Sequence, residues 1–509
     1  MTSAAPLSHR ETLIILCSVL VSLLLAALDQ TIVATALPTI AAEYHSVEHL
    51  SWVVSVYLLT STASTPIYGK LSDLYGRRAL LTVAITTFVV ASALCAMAQS
   101  MAQLIIARAL QGVGGGALIS LTQATIADVI APRDRGRYQG YIATVWASAS
   151  VGGPLLGGFF VDYLSWRWVF WINLPIGLAA LVAARISLRK LPVHRVKHKI
   201  DYVGALLLVA GVTSLLVVFS SGGAALPWTS PYIIGLGAAG AVLLVLFVVW
   251  ELRAPEPILP PRLFRNPVVR VANAASFVWS MAFIGGVVFM PLFFQLVVGA
   301  SASESGLLLM PLTMGVVVGA TSSGRFMVKT GRYKAMPLSG LVVSVVIFLY
   351  LGQAEAGLSR GLMIACFAIL GIGLGLVIPP MLVAVQNAVE KRDLGTATSA
   401  VTFFRSMGGS FGVAVLGAII VGALGYHMNA AAISGADQLG AQILRDGRGA
   451  LDVLPEPARG QAAAAAARAF HPMFQACAAV CAITFLIVLF LKEIPLRSAQ
   501  RPTEGGSAK

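Results

Sequence analysis

The chain has 509 residues, 58% of them hydrophobic and only 11% charged, whereas a soluble domain carries about 25% charged residues and under half apolar ones. That balance excludes an ordinary soluble protein of several domains and places the chain in a lipid bilayer. The net charge of +14 would suit a nucleic-acid partner unless the cations sort to one side of a membrane, and their positions decide between the two.

A helix that crosses a bilayer needs about 20 mostly apolar residues. On that rule the chain offers fourteen spans, at 12–36, 51–68, 79–99, 104–127, 138–161, 167–188, 201–220, 231–251, 270–294, 306–326, 335–353, 360–384, 398–421 and 472–491. The expected fold class is an all-α polytopic membrane protein. With the N-terminus in the cytoplasm, 27 of the 35 Lys and Arg residues fall on cytoplasmic segments and six outside, leaving Arg108 and Arg405 within spans. This asymmetry puts both termini in the cytoplasm and removes the nucleic-acid reading. A secretory signal peptide competes for the start, because Arg10 precedes an apolar run and Ala34-Thr35-Ala36 looks like a cleavage site. That run outlasts an ordinary h-region, and Asp29-Gln30 interrupts it.

In the first span Asp29 is the only acid deep within an apolar segment. A carboxylate is expensive there unless paired or facing water. Asp29 is therefore either a proton carrier or a buried acid held for packing. After the second span, Gly69-Lys70-Leu71-Ser72-Asp73-Leu74-Tyr75-Gly76-Arg77-Arg78 sets one acid among three cations. Asp73 can cap the following helix, or pair with a cation of another helix and latch the cytoplasmic face; a solvated hairpin is the alternative. Arg108 opens the fourth span ahead of Gln111, Gly112, Gly114, Gly115 and Gly116. Its guanidinium stays ionised, which leaves two readings: coupling to Asp29, or snorkelling to the interface. In the fifth span Gly140, Gly153, Pro154, Gly157 and Gly158 make a surface suited either to bending between halves or to close packing. Arg405, in the thirteenth span ahead of Gly408, Gly409 and Gly412, is a cytoplasmic-end anchor or a second coupling charge.

A weak internal repeat runs through the chain at an offset of 255 residues. Gly69 and Gly76 map onto Gly324 and Gly331, Gly153 onto Gly408, and Gly157 onto Gly412, while Val328 stands where the acid Asp73 would be. The missing acid suggests a latch on one half only. Two six-helix halves with a site between them are a known transporter plan. The divisions are then 1–190, an inserted helix pair within 191–265, and a second half at 266–492 containing a long outer loop, 422–471. A cytoplasmic tail, 493–509, follows. The alanine run at 462–467 suits a surface helix.

The five cysteines all lie in apolar runs, where they act as small filler, Cys477 and Cys481 one turn apart. Three enzyme-like motifs are discounted. His45-Ser46-Val47-Glu48-His49 lacks a third ligand, and the Gly-x-Ser-x-Gly matches at 357–361 and 408–412 follow no strand. No phosphate-binding loop is present. No enzyme activity, cofactor or metal is expected.

These motifs resemble the major facilitator superfamily, in its 14-helix drug:proton antiporter branch. The loop at 69–78 resembles the superfamily's signature loop, and Leu28-Asp29 through Leu37-Pro38 the branch's first-helix motif. Arg108-Ala109-Leu110-Gln111-Gly112 is similar to the fourth-helix motif, and Gly140, Gly153, Pro154 and Gly157 to the antiporter motif, with Ala149 where glycine is usual. The segment from Trp166 to Pro175 is a further branch-like element. The resemblance implies proton coupling through Asp29 and Arg108, and a conformational latch at Gly69, Asp73, Gly76, Arg77 and Arg78. It also implies two six-helix bundles plus two inserted helices. The tenth span has no acid, and Glu304 only approaches its outer end, which argues against divalent organic cations.

The expected function is proton-coupled export of hydrophobic or amphiphilic small molecules by a monomer using alternating access. Candidate substrate-facing residues are Trp52, Tyr57, Trp146, Asn273, Phe277, Phe283, Met290, Met310 and Gln386, chosen for aromatic, Met and amide character. Alternatives are a pump dedicated to one endogenous metabolite, a transport-inactive sensor, or a membrane enzyme, which would need clusters of acids and histidines. The ratio of 26 Arg to 9 Lys points to a GC-rich bacterium and hence to its inner membrane.

Overall fold

The computed structural model describes residues 8–46, 49–190, 200–222, 226–300, 302–353, 359–430 and 458–496. These residues are overwhelmingly helical, and their only extended pairing is an isolated bridge between Gly222 and Leu226. The first half contains α1 (His9–Tyr44), α2 (Leu50–Tyr75), α3 (Arg77–Met97), α4 (Met101–Val129), α5 (Pro132–Tyr163), the short α6 (Trp168–Trp171) and α7 (Asn173–Ser187). Then come α8 (Tyr202–Ser221), α9 (Pro231–Glu251) and the short α10 (Pro261–Arg265). The second half contains α11 (Pro267–Phe293), α12 (Ala302–Leu308), α13 (Met310–Thr330), α14 (Ala335–Leu351), α15 (Arg360–Gly375), α16 (Ile378–Ala388), α17 (Leu394–Ala430) and α18 (Ala458–Leu489).

Twelve described helical segments are long and apolar enough to cross a membrane. Two more of the expected spans exist as helices outside that group. One is α2, 26 residues long and rich in Ser and Thr; the other is α14, with 17 residues. The chain is a multi-pass membrane protein. Where the helices start, polar side chains take up amide donors that the helix leaves free. Ser8 and Glu11 form a reciprocal capping box on α1, Ser100 accepts from the Gln103 amide, and Asp201 from that of Gly204.

Helix ends differ from the sequence expectation for local reasons. The fifth helix begins at Pro132 rather than at 138, because proline fits a first turn, where its missing N–H is not needed. The twelfth span is two helices, α15 and α16. Pro379 and Pro380, in the first turn of α16, cannot donate back into α15. The alanine run at 462–467 is not a surface helix: it belongs to α18, and Ala462, Ala465 and Ala466 are buried. Residues 431–457 of the expected outer loop, 497–509 of the tail, 47–48 of the His45 motif and 191–199 lie outside the described residues. So does the start of the 357–361 motif.

Packing repeats between the halves. In the first, α1 packs on α5, α2 and α3 on α4, and α7 on α1 and α3; in the second, α11 packs on α17, α13 and α14 on α15, and α18 on α11 and α14. The halves meet most extensively through two cross pairs, α5 with α13 and α2 with α17, with lesser contacts of α4 with α17 and α5 with α16. The pair α8 and α9 packs together, and α8 lies against both α2 and α17, in a cluster of Leu59, Ala63, Leu208, Val212, Ala400 and Phe403. We call the end where α1 begins and α18 finishes the terminal face.

Candidate functional site

Asp29 lies on α1 with no exposed surface, and α3, α4 and α7 supply its surroundings. Arg108 Nη1 donates to its Oδ2 at 2.6 Å. Gln111 Nε2, one turn further along α4, donates to Oδ1 at 2.8 Å, and Asn173 Nδ2 of α7 to the same oxygen at 2.9 Å. Ser92 of α3 receives both amides, Gln111 Nε2 at 2.6 Å and Asn173 Nδ2 at 3.2 Å. Arg108 also donates to the Gln111 Oε1 at 2.7 Å and, through Nε, to the Val53 carbonyl of α2 at 3.1 Å. Its guanidinium lies 4.3 Å above the centre of the Tyr57 ring, a distance at which a cation is attracted to an aromatic face.

The cluster is possible because α4 approaches its neighbours closely. A Cβ on Gly112 or Gly116 would collide with the α2 backbone, and one on Gly114 with α3. Four helices therefore seal an ion pair from water, and every donor aimed at Asp29 comes from a different turn or helix. Removing either charge would leave the other buried and unanswered.

The second cluster joins the halves at the terminal face. Gly76, at φ 87°, turns the chain between α2 and α3 in a conformation that glycine adopts without strain. Just before it, Asp73 Oδ1 accepts from the Gly395 amide at 2.9 Å, and Oδ2 from the Thr396 amide at 2.7 Å and the Thr396 hydroxyl at 2.8 Å. Asp73 thus caps the N-terminus of α17 in the opposite half, not the helix that follows it in sequence. Arg77 pairs with Asp73 at 2.7 Å and with Asp128 of α4 at 2.6 Å, and also meets Ser72. Arg78 makes no side-chain hydrogen bond or ion pair among the described residues. Gly69 sits against Ser399 and the Gly395 carbonyl.

The same face is held a second time on the other side of the molecule. Gly136 and Gly324 bring α5 and α13 into backbone contact, and Gly140 meets Thr321. Arg133 Nε donates to the Val328 carbonyl at 3.0 Å. The position that lacks an acid in the second half therefore still joins the halves, through its backbone. Contacts between the halves occur on both sides of this face.

The fifth-helix glycines divide between two surfaces. Gly140 faces the second half, whereas Gly153 meets Thr31 and Gly157 meets Thr35, both on α1. Pro154 is exposed within an unbroken α5. The Gly153 surface thus packs within the first half, against α1.

A small cavity of about 10 Å³, room for roughly one water, lies between α4, α11, α16 and α17, and the nine expected substrate-facing residues lie elsewhere. Tyr57 lies under Arg108, Met290 is core, Asn273 donates to its own helix at Val269, and Gln386 donates to Thr398. Phe283 stacks on Trp279 at 4.7 Å and Phe277 lies by Phe411 at 6.1 Å. Trp52 and Trp146 are half-buried against core clusters, and Met310 is half-buried where α13 begins. Cavity-lining residues missed by sequence reasoning are Gln123, Ser276, Trp279 and Met381. Ser92, Asp128 and Lys70, which reaches Glu256 at 2.8 Å, were missed as well. Their roles depend on partners far along the chain. Among the described residues no group of three His, Cys, Asp or Glu side chains could hold a metal. The described cysteines are free, with Cys477 and Cys481 wholly buried.

Comparison with known proteins fixes the family. The Major Facilitator Superfamily profile matches residues 19–413. The chain belongs to the major facilitator superfamily. It is 41% identical over 483 residues to an uncharacterized MFS-type transporter of Mycobacterium tuberculosis, covering 95% of this chain and 70% of that one. It is 37% identical over 415 residues to the multidrug transporter protein MdtP of Bacillus subtilis, covering 81% of this chain and 75% of that one. Among solved structures, the human organic anion transporter MFSD10 matches with a TM-score of 0.64 at 16% identity, over 94% of this chain and 99% of that one. The proton:xylose symporter XylE matches with a TM-score of 0.61 at 13% identity, over 95% and 96%. At those identities the two structures speak to the fold alone. The superfamily plan of two related halves accounts for the repeated packing, and the chain is a membrane transporter of small molecules.

Proposed function

We propose that this transporter is a proton-coupled exporter of hydrophobic or amphiphilic compounds, held here with its cytoplasmic face closed. The observation that carries this reading is the sealed Asp29–Arg108 cluster. Asp29 can accept a proton on Oδ2 only by giving up Arg108, and with it the ion pair that ties α1 to α4. Protonation and helix rearrangement are then one event, the link an antiporter needs. The Asp73 and Arg133 contacts supply the other element, a closed face that must open for the opposite state. Relatives named as efflux pumps, among them FUS6 of Gibberella fujikuroi at 33% identity and dotC of Dothistroma septosporum at 34%, support the direction of transport. The cation asymmetry supports fourteen crossings, cytoplasmic termini and a bacterial inner membrane. Nothing in the reading requires more than one copy.

Inverted membrane vesicles test it. With an imposed proton gradient, the native chain is expected to accumulate a lipophilic dye, and a protonophore to abolish that accumulation. Accumulation indifferent to the protonophore overturns proton coupling.

A further inference from the structure

Arg405 is half-buried in α17, eleven residues past the start of that helix. Other buried arginines of the described residues are answered. Arg108 has Asp29, Arg77 has Asp73 and Asp128, and Arg135 has the Ile130 and Ala127 carbonyls. Arg405 has no hydrogen bond or ion pair among the described residues. A guanidinium inside a membrane protein stays ionised and is costly unless it meets water or an acceptor.

It borders the cavity named above, with Gln123 of the first half and Ser276, Trp279, Ile378 and Met381 of the second. Beside the half-buried Arg405, the indole Nε1 of Trp279 is buried without an acceptor, so two wall residues offer donors that no protein group takes up. No acid lines this cavity. The fold does not demand a cation either, since the repeat offset of 255 places Ser150 at the equivalent position of α5.

We propose that Arg405, at a gap that in this closed state has room for about one water, is the head-group subsite of the substrate path that opens between the halves, and takes the carboxylate, or a similar anionic group, of an amphiphile. The apolar body of that ligand lies against Trp279, Ile378 and Met381. Because Gln123 belongs to the first half, a ligand there touches both halves. This inference rests on the transporter reading and adds to it the charge of the substrate.

Three probes sharing one ring system test the proposal: 2-naphthoate, 2-naphthamide and 2-naphthylmethylammonium. Each is titrated calorimetrically, without a proton gradient, into the full-length protein in lipid nanodiscs. The native chain is expected to bind the naphthoate about tenfold or more tightly than the amide, as a charge-assisted bond to arginine implies, and the ammonium more weakly than either. Arg405→Gln should reduce naphthoate affinity to that of the amide while amide binding persists, and Arg405→Lys should keep the preference. Equal affinity for naphthoate and amide, a preference unchanged in Arg405→Gln, tighter binding of the ammonium, or no binding of any probe overturns the proposal. If the glutamine variant does not fold, the native series and the lysine variant still decide it. Failure of proton coupling would show in the vesicle assay and leave this charge preference untouched.

Discussion

Asp73→Ala is the perturbation whose consequence follows most directly from the geometry at the terminal face. The carboxylate makes three hydrogen bonds to the first turn of α17, at 2.7–2.9 Å. Loss of a helix N-cap costs about 0.5–2 kcal/mol, and a hydrogen bond to a charged group contributes about 1.5–3 kcal/mol. Three bonds from one side chain do not add independently, so the loss is about 2–4 kcal/mol. Arg77 is not stranded, because Asp128 holds it at 2.6 Å. The loss therefore falls on the contact between halves and shifts the closed-to-open ratio of this face by about 30- to 700-fold. The assay is a pulsed electron-paramagnetic-resonance distance between nitroxides at Tyr75 and Lys329, exposed ends of α2 and α13, in a Cys17→Ser background. The native chain should give a dominant short distance and Asp73→Ala a broad, longer one. An Arg78→Ala control should match the native chain. An unchanged distribution in Asp73→Ala would refute the claim that this carboxylate joins the halves.

Three further outcomes are expected. Asp29→Asn and Arg108→Gln should each lower stability by about 3–5 kcal/mol, since each leaves an unpaired buried charge or polar group. The double variant should recover part of that loss, and thermal unfolding in detergent measures the cycle. Gly136→Ala sets a methyl carbon 2.5 Å from the Gly324 carbonyl oxygen. Overpacking of that kind costs about 1–3 kcal/mol, so the Tyr75–Lys329 distance should lengthen, and a native-like distance would contradict the backbone contact. Arg133→Ala should lengthen it less than Asp73→Ala does, because Arg133 makes one bond at 3.0 Å and one long, exposed contact at 3.4 Å, where Asp73 makes three shorter ones. An equal or larger change would reverse the assigned order.

The spans were legible because a bilayer demands long apolar helices, and Asp29, Arg108 and Asp73 stood out as charges where charge is expensive. What joins them was not legible. Ser92 is one serine among many in apolar helices, and only the fold sets it between Gln111 and Asn173. Val328 contributes a backbone carbonyl to Arg133, a contact that no side-chain pattern records. Aromatic and Met side chains fill helix contacts as readily as they line cavities, so residue type alone does not separate Met290, which is core, from a residue that faces substrate. Arg405 showed the reverse. Its ambiguity in the sequence narrowed once the structure set it, without a partner among the described residues, beside Gln123 and Trp279 where the halves meet.

Substrate-induced proton release tests the central claim most directly. The purified, weakly buffered protein is mixed with a transported compound while a pH dye reports. The account predicts that the native chain releases protons on binding and that Asp29→Asn and the Asp29→Asn/Arg108→Gln double variant release none while still binding. Equal release from the native chain and a folded variant lacking Asp29 would contradict it.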